Sequence, residues 1–163
     1  SYDLSIESAY VITIKDHPIS ESMSQRCQES LRRVGMKYTV WDAFDGTSGT
    51  IKVPDHAKDK PYMSWFKWVD KELSITEVSV ALSHISLWAR CVELDRPIII
   101  LEHDAVVVQA INDHPAIGCI HYLGGIEQAK KGWPVMVTPP HATNGHNYHF
   151  ICRAHAYGID PWA

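Results

Sequence analysis

Pro97-Ile-Ile-Ile-Leu-Glu102-His103-Asp104-Ala-Val-Val-Val108 is an apolar run broken by two carboxylates one residue apart. Its aliphatic content and its opening proline read as a buried strand. Side chains alternate along a strand, so extended chain here would set Glu102 and Asp104 on one face and His103 on the other. Carboxylates beside an apolar strand are costly to bury without a partner. Two arrangements relieve that cost. Either the strand stops at Leu101 and both acids are hydrated, or the acids hold a cation, for which a divalent metal with oxygen ligands is suited.

The preceding segment supplies a helix. Ser74-Ile-Thr-Glu77 has the form of a capping box, and Val78, Ala81, Leu82, Ile85, Trp88, Ala89 and Val92 recur at helical spacing before Asp95-Arg96-Pro97 ends the run. Further upstream, Ala9-Tyr-Val-Ile-Thr-Ile-Lys15 reads as a strand closed by Asp16-His17-Pro18. An amphipathic helix is expected over Ser20 to Val34, with Met23, Cys27, Leu31 and Val34 on one side and Gly35 as its stop. Lys37 to Phe44 reads as a second strand, closed by Asp45-Gly46. A strand, helix, strand unit of this kind makes parallel strands, and ligands gather at their carboxyl ends.

Residues 52–71 carry two prolines, several charges and the rings of Trp65, Phe66 and Trp68, and are expected to leave the sheet and pack back on it through those rings. Beyond Val108, Ile111 to Pro115 reads as a turn, and Ile117 to Leu123, Trp133 to Thr138 and Tyr148 to Cys152 as short strands. The length of 163 residues corresponds to one domain, expected over 1–163. The net charge of −4 gives no footprint for nucleic acid. The chain has no apolar stretch of roughly the 20 residues a bilayer requires, and its first residues lack a signal-peptide pattern, so no transmembrane segment and a cytoplasmic location are expected. Four scattered cysteines without a Cys-x-x-Cys pair point to reduced thiols.

Several chemistries lose their support. No Gly-x-Gly-x-x-Gly, P-loop or Gly-x-Ser-x-Gly occurs, which removes the usual signals of dinucleotide oxidoreductases, NTPases and serine hydrolases. Histidines crowd the second half of the chain. His141, His146, His149 and His155 leave open a zinc hydrolase, although they lack the spacing of closed or catalytic zinc sites. A carboxylate pair at a strand end suits Mg²⁺ or Mn²⁺ shared with a diphosphate, whose departure from an activated donor the ion would assist. His84 flanks the apolar stripe of its helix, where it is either a core-edge histidine or a site residue.

Taken in order, these blocks resemble the family 25 glycosyltransferases, which include lipooligosaccharide galactosyltransferases and relatives of the collagen galactosyltransferases. Tyr10-Val-Ile-Thr-Ile14 is similar to the family's opening strand, and Trp41-Asp-Ala-Phe-Asp-Gly46 to its Asp-Ala-x-Asp-Gly block. Leu73 to Glu77 with Ala81-Leu-Ser-His-Ile-Ser-Leu-Trp88 is similar to its glutamate-containing helix with an Ala-Leu-Ser-His signature. Ile100-Leu-Glu-His-Asp-Ala105 takes the place of its Leu-Glu-Asp-Asp-Ala strand end, and His155-Ala-Tyr157 echoes a later block.

The resemblance implies an α/β, GT-A-like (Rossmann-like) fold with a mixed, mostly parallel sheet flanked by helices. It implies a nucleotide-sugar donor, with a UDP-hexose such as UDP-galactose favoured, and Mn²⁺ or Mg²⁺ assistance. The acceptor would be a glycan, as in lipopolysaccharide biosynthesis, or another hydroxylated molecule. Carried over residue by residue, it implies a metal site at Glu102 and Asp104, and donor contacts from Thr13, Lys15, Asp42, Asp45, Gly46, Ser83 and His84. His155 is a further candidate ligand, and Glu127 and Asp160 are candidate bases for the acceptor hydroxyl. The chain departs from the family pattern at His103, where a second acid is usual, and in ending early, so that the domain would lack the family's C-terminal acceptor-site portion. A nucleotide-sugar or glycan binding domain without turnover is the alternative this leaves.

Overall fold

The computed structural model describes residues 9–68, 73–107, 120–122, 135–137 and 156–162, with side chains over 9–64, 73–107 and 156–162. The described residues form a sheet in the order β2-β1-β3-β6-β4-β5. Its strands are β1 (Ala9–Thr13), β2 (Tyr38–Asp42), β3 (Ile98–Glu102), β4 (Ile120–Tyr122), β5 (Val135–Val137) and β6 (Ala156–Ile159). β2, β1 and β3 run parallel, whereas β6, β4 and β5 join through antiparallel ladders. This is the expected mixed α/β sheet flanked by helices, with its parallel part on the β2-β1-β3 side.

Alternation along the central strands assigns each helix to a face. Ala9, Val11, Ile99 and Leu101 are buried with Cys27 and Leu31 of α1 (Pro18–Arg33). Tyr10, Ile12, Ile98 and Ile100 are buried with Leu87 and Cys91 of α2 (Ile75–Leu94), together with Tyr157 and Ile159. Strand residues apolar on both faces are what a helix-covered parallel sheet requires.

Both helices begin at the carboxyl end of the parallel strands. Pro18 does not merely end the first strand. It is the first helical residue, where its missing N–H costs nothing, and His17 caps the helix by accepting the Ser20 N–H at 3.2 Å through Nδ1. Ser74 caps α2 by accepting the Glu77 N–H at 3.1 Å, and Asp95 closes it in the left-handed region with φ 51°.

The buried face of α2 is rotated from the expected stripe. Val78, Leu82, Leu87 and Cys91 are buried, with Ser79, Ser83, His84 and Ser86 among them, whereas Val92 is 61% exposed. The serines enter the interior because each hydroxyl returns to its own helix: Ser79 to the Ile75 carbonyl, Ser83 to Ser79 and Ser86 to Ser83, at 2.6–2.8 Å. Their small side chains let the chain after β2 lie close. The described part of that segment, residues 52–68, does leave the sheet, through 3-10 turns at Asp55–Ala57 and Pro61–Trp68. Ala57 and Tyr62 pack with Phe44, Val78 and Leu82. The side chains of Trp65, Phe66 and Trp68, and the expected strand over Tyr148 to Cys152, lie outside the described residues.

Candidate functional site

Three strand ends and the first halves of two helices meet at the carboxyl pole of the sheet. A polar cavity of about 320 Å³ opens there, lined by Lys15 and His17 after β1, and by Asp42, Asp45, Thr47 and Lys52 at and after β2. That size falls within the range of small-molecule sites. A smaller hollow of about 70 Å³ adjoins it across Ala43, bounded by Ile12, Ile14, Ser83, His84 and Glu102. Residues expected from three separate sequence blocks are therefore brought to one pole.

They do not all face it. Thr13 is 5% exposed and turned toward α1, where its hydroxyl lies 2.7 Å from Ser24 Oγ. Its expected donor contact does not match this geometry, because alternation places it on the same face as Ala9 and Val11. Ser83 spends its hydroxyl on scaffolding: Oγ accepts the Phe44 N–H at 2.9 Å and donates to the Ser79 carbonyl. Gly46 also acts through backbone. A Cβ there would lie 2.8 Å from Ile75 Cγ2 and 3.1 Å from the Ile75 carbonyl oxygen, so glycine is needed for the loop to pass the first turn of α2.

Asp45 organises the turn that follows. Its Oδ1 accepts the Thr47 N–H at 2.9 Å and the Thr47 hydroxyl at 2.6 Å. The Thr47 hydroxyl holds the Asp45 carboxyl below its ordinary range, with burial opposing and Lys52 adding to the effect. Asp42 is pinned through its carbonyl, which lies 2.7 Å from His56 Nε2. Lys15 is exposed beside the cavity.

β3 ends at Glu102, and His103 and Asp104 form a turn in which the Ala105 N–H returns to the Glu102 carbonyl at 3.0 Å. The alternation that would align the two acids therefore stops one residue short of Asp104. Glu102 follows Ile98 and Ile100 toward α2, where Oε1 lies 3.4 Å from His84 Nε2. Asp104 is exposed, and its charge is felt by the Cys27 thiol on the α1 side. His103 points to α1, as alternation requires, with Nδ1 2.8 Å from Ser20 Oγ. Glu102 and Asp104 offer the hard oxygen donors that Mn²⁺ or Mg²⁺ takes, and among the described residues no three His, Cys, Asp or Glu side chains gather as a metal-binding group.

Beneath Glu102 runs a hydrogen-bonded chain, buried at His84 and Tyr157, that sequence reasoning did not assemble. His84, 6% exposed, places Nδ1 2.6 Å from the Tyr157 hydroxyl, and Trp88 Nε1–H donates to that hydroxyl at 2.9 Å. Burial pushes the Tyr157 phenol well above its ordinary range, and the Glu102 charge adds to this, so it stays protonated. The His155-Ala-Tyr157 block was the available signal.

One expected residue falls elsewhere. Asp160 follows Ile159, which pairs with Ile98 at the start of β3, so it sits at the opposite pole, 1% exposed, with Oδ1 accepting the Trp162 N–H. A base acting at the Glu102 end does not fit that position. Glu127 and His155 lie outside the described residues, as do His141, His146 and His149.

A larger cavity, about 380 Å³, lies on the flank of α2. Its polar walls are already engaged: Trp41 stacks on His56 at 4.0 Å and donates to Ser86 Oγ, and Lys60 and Arg90 both reach Glu93. Among the described residues, no helix is long and apolar enough to cross a membrane. Residues 6–116, more than half of the chain, match the family model described as glycosyltransferase family 25 (LPS biosynthesis protein). No curated protein and no solved structure matches the chain.

Proposed function

The chain belongs to glycosyltransferase family 25, and on that footing we propose that it transfers a hexosyl group, galactosyl in the favoured case, from a nucleoside-diphosphate sugar to a hydroxyl of a glycan or similar acceptor. The observation that carries this reading is the polar cavity at the carboxyl pole, where the matched segment gathers Lys15, Asp42 and Asp45. Open α/β sheets bind ligands at this place.

The donor's diphosphate would lie beside Lys15 and the start of α1, where the helix dipole favours negative charge. Its ribose and sugar hydroxyls would meet Asp42 and Asp45. Asp45 is suited to accept hydrogen bonds there, because its carboxylate is oriented by the Thr47 N–H and hydroxyl. Asp104, exposed at the end of β3, would hold Mn²⁺ or Mg²⁺, with Glu102 beside it. The ion supplies neutralisation of the departing diphosphate. In the transfer the anomeric carbon–oxygen bond to the diphosphate breaks, a bond to the acceptor oxygen forms, and the acceptor hydroxyl releases its proton.

Thermal denaturation with UDP-hexoses tests the reading. A ligand that binds the native state alone raises the melting temperature, by an amount that grows with the logarithm of its concentration above Kd. The expected result is a rise with UDP-galactose that grows when Mn²⁺ is present and loses that increment in Asp104→Asn. Absence of a rise with any nucleotide sugar contradicts the proposal. A rise without donor hydrolysis or transfer would favour the alternative of a binding domain without turnover.

A further inference from the structure

The Trp88, Tyr157 and His84 chain constrains where protons can sit. An indole nitrogen only donates, so the Tyr157 oxygen accepts from Trp88 at 2.9 Å. The phenol then has one proton to give, and His84 Nδ1 stands 2.6 Å away. Among the described residues, Trp88 and His84 are the partners of this hydroxyl. Were Nδ1 protonated, the phenol would receive two donors and its own O–H would lack an acceptor among the described residues, at a site 1% exposed. A buried donor left unsatisfied is strongly disfavoured. The arrangement that satisfies every group leaves Nδ1 as acceptor and puts the imidazole proton on Nε2, which faces Glu102 Oε1 at 3.4 Å. The imidazole is also stacked on the Tyr157 ring, with planes 19° apart, which limits its rotation.

We propose that Tyr157 is a positioning residue that fixes His84 as the Nε2–H tautomer, so that the imidazole presents a donor to Glu102 and holds its carboxylate at the mouth of the site. The chain crosses from β6 through α2 to the end of β3, joining the strand beyond the matched segment to the carboxyl pole. Its consequence for transfer rests on the function proposed above, whereas the tautomer does not.

Long-range ¹H–¹⁵N correlation spectra of the whole chain, labelled at histidine and recorded where imidazoles are neutral, read the tautomer directly. His84 is identified by its loss in His84→Asn. The expected wild-type pattern has a protonated Nε2 and an unprotonated Nδ1. In Tyr157→Phe, which keeps the ring and removes the hydroxyl, that preference collapses toward a mixture, and transfer falls about tenfold, as for loss of a group that orients a site carboxylate. A wild-type His84 with a proton on Nδ1, or a Tyr157→Phe spectrum with the tautomer unchanged, overturns the proposal. The wild-type spectrum suffices if the variant fails to fold. A correct tautomer in a chain that binds no nucleotide sugar overturns the transferase reading instead and leaves this one standing.

Discussion

The Phe44 N–H donates to Ser83 Oγ at 2.9 Å, and through that bond the chain leaving β2 is tied to the middle of α2. Phe44 is 2% exposed and Ser83 likewise, so water does not replace the bond easily. Ser83→Ala should strand a buried amide and lower stability by about 1–3 kcal/mol. The drop would appear as a lower urea midpoint with the slope unchanged. An unaltered midpoint would mean that the loop does not depend on this hydroxyl.

Gly46 predicts an effect of different origin. A methyl group there meets Ile75 Cγ2 at 2.8 Å, and the Ser79 side chain as well. Gly46→Ala should cost about 1–3 kcal/mol by overpacking, and Ser79→Gly in the same chain should recover part of that loss. Failure of the second change to recover anything would place the strain elsewhere.

The Asp45 turn makes a pH-dependent contribution whose sign is set. Its folded carboxyl titrates below the ordinary aspartate range, so the stabilisation is fully present above that range and is lost as pH falls through the folded value. Thr47→Val removes the hydroxyl that is the largest cause of the shift. The stability gap between wild type and Thr47→Val should therefore be present near neutral pH and narrow as the carboxyl is protonated. Denaturant titrations across the acid range check this; a gap that widens in acid contradicts it.

Cys27 and Cys91 are free, buried and on opposite faces of the sheet. Burial, with Asp104 adding, pushes the Cys27 thiol up to about 11, and burial, with Asp160 adding, pushes Cys91 up to about 12. Both should resist alkylation in the native state at pH 8 and react on unfolding, as mass spectrometry would read. Their raised values favour the folded state below the ordinary thiol range, and that stabilisation falls as pH climbs from about 9 toward the folded values.

Much of this architecture was legible from residue pattern. Ser74 at the start of α2, Asp95 at its end and the β-branched runs of β1 and β3 each state their local conformation, and the family blocks agree with them. What escaped was parity and packing. Thr13 reads as a strand-end hydroxyl, yet counting by twos from Ala9 and Val11 sends it to α1. The stripe expected on α2 omitted Ser79, Ser83 and Ser86, because serine counts as polar until its proton is returned to the preceding turn. Asp104 escapes the face of Glu102 because the chain turns at His103. β6 contains Gly158 and pairs with strands far away in sequence, which no local pattern announces.

The central claim is that a nucleotide sugar occupies the carboxyl pole between the end of β2 and the start of α1. Backbone amide spectra of the chain titrated with UDP-galactose and Mg²⁺ locate the ligand without requiring turnover. The account predicts perturbations concentrated at residues 15–17, 42–47 and 102–104. Perturbations confined to the flank cavity around Trp41, Lys60 and Arg90, or none at saturating donor, would contradict it.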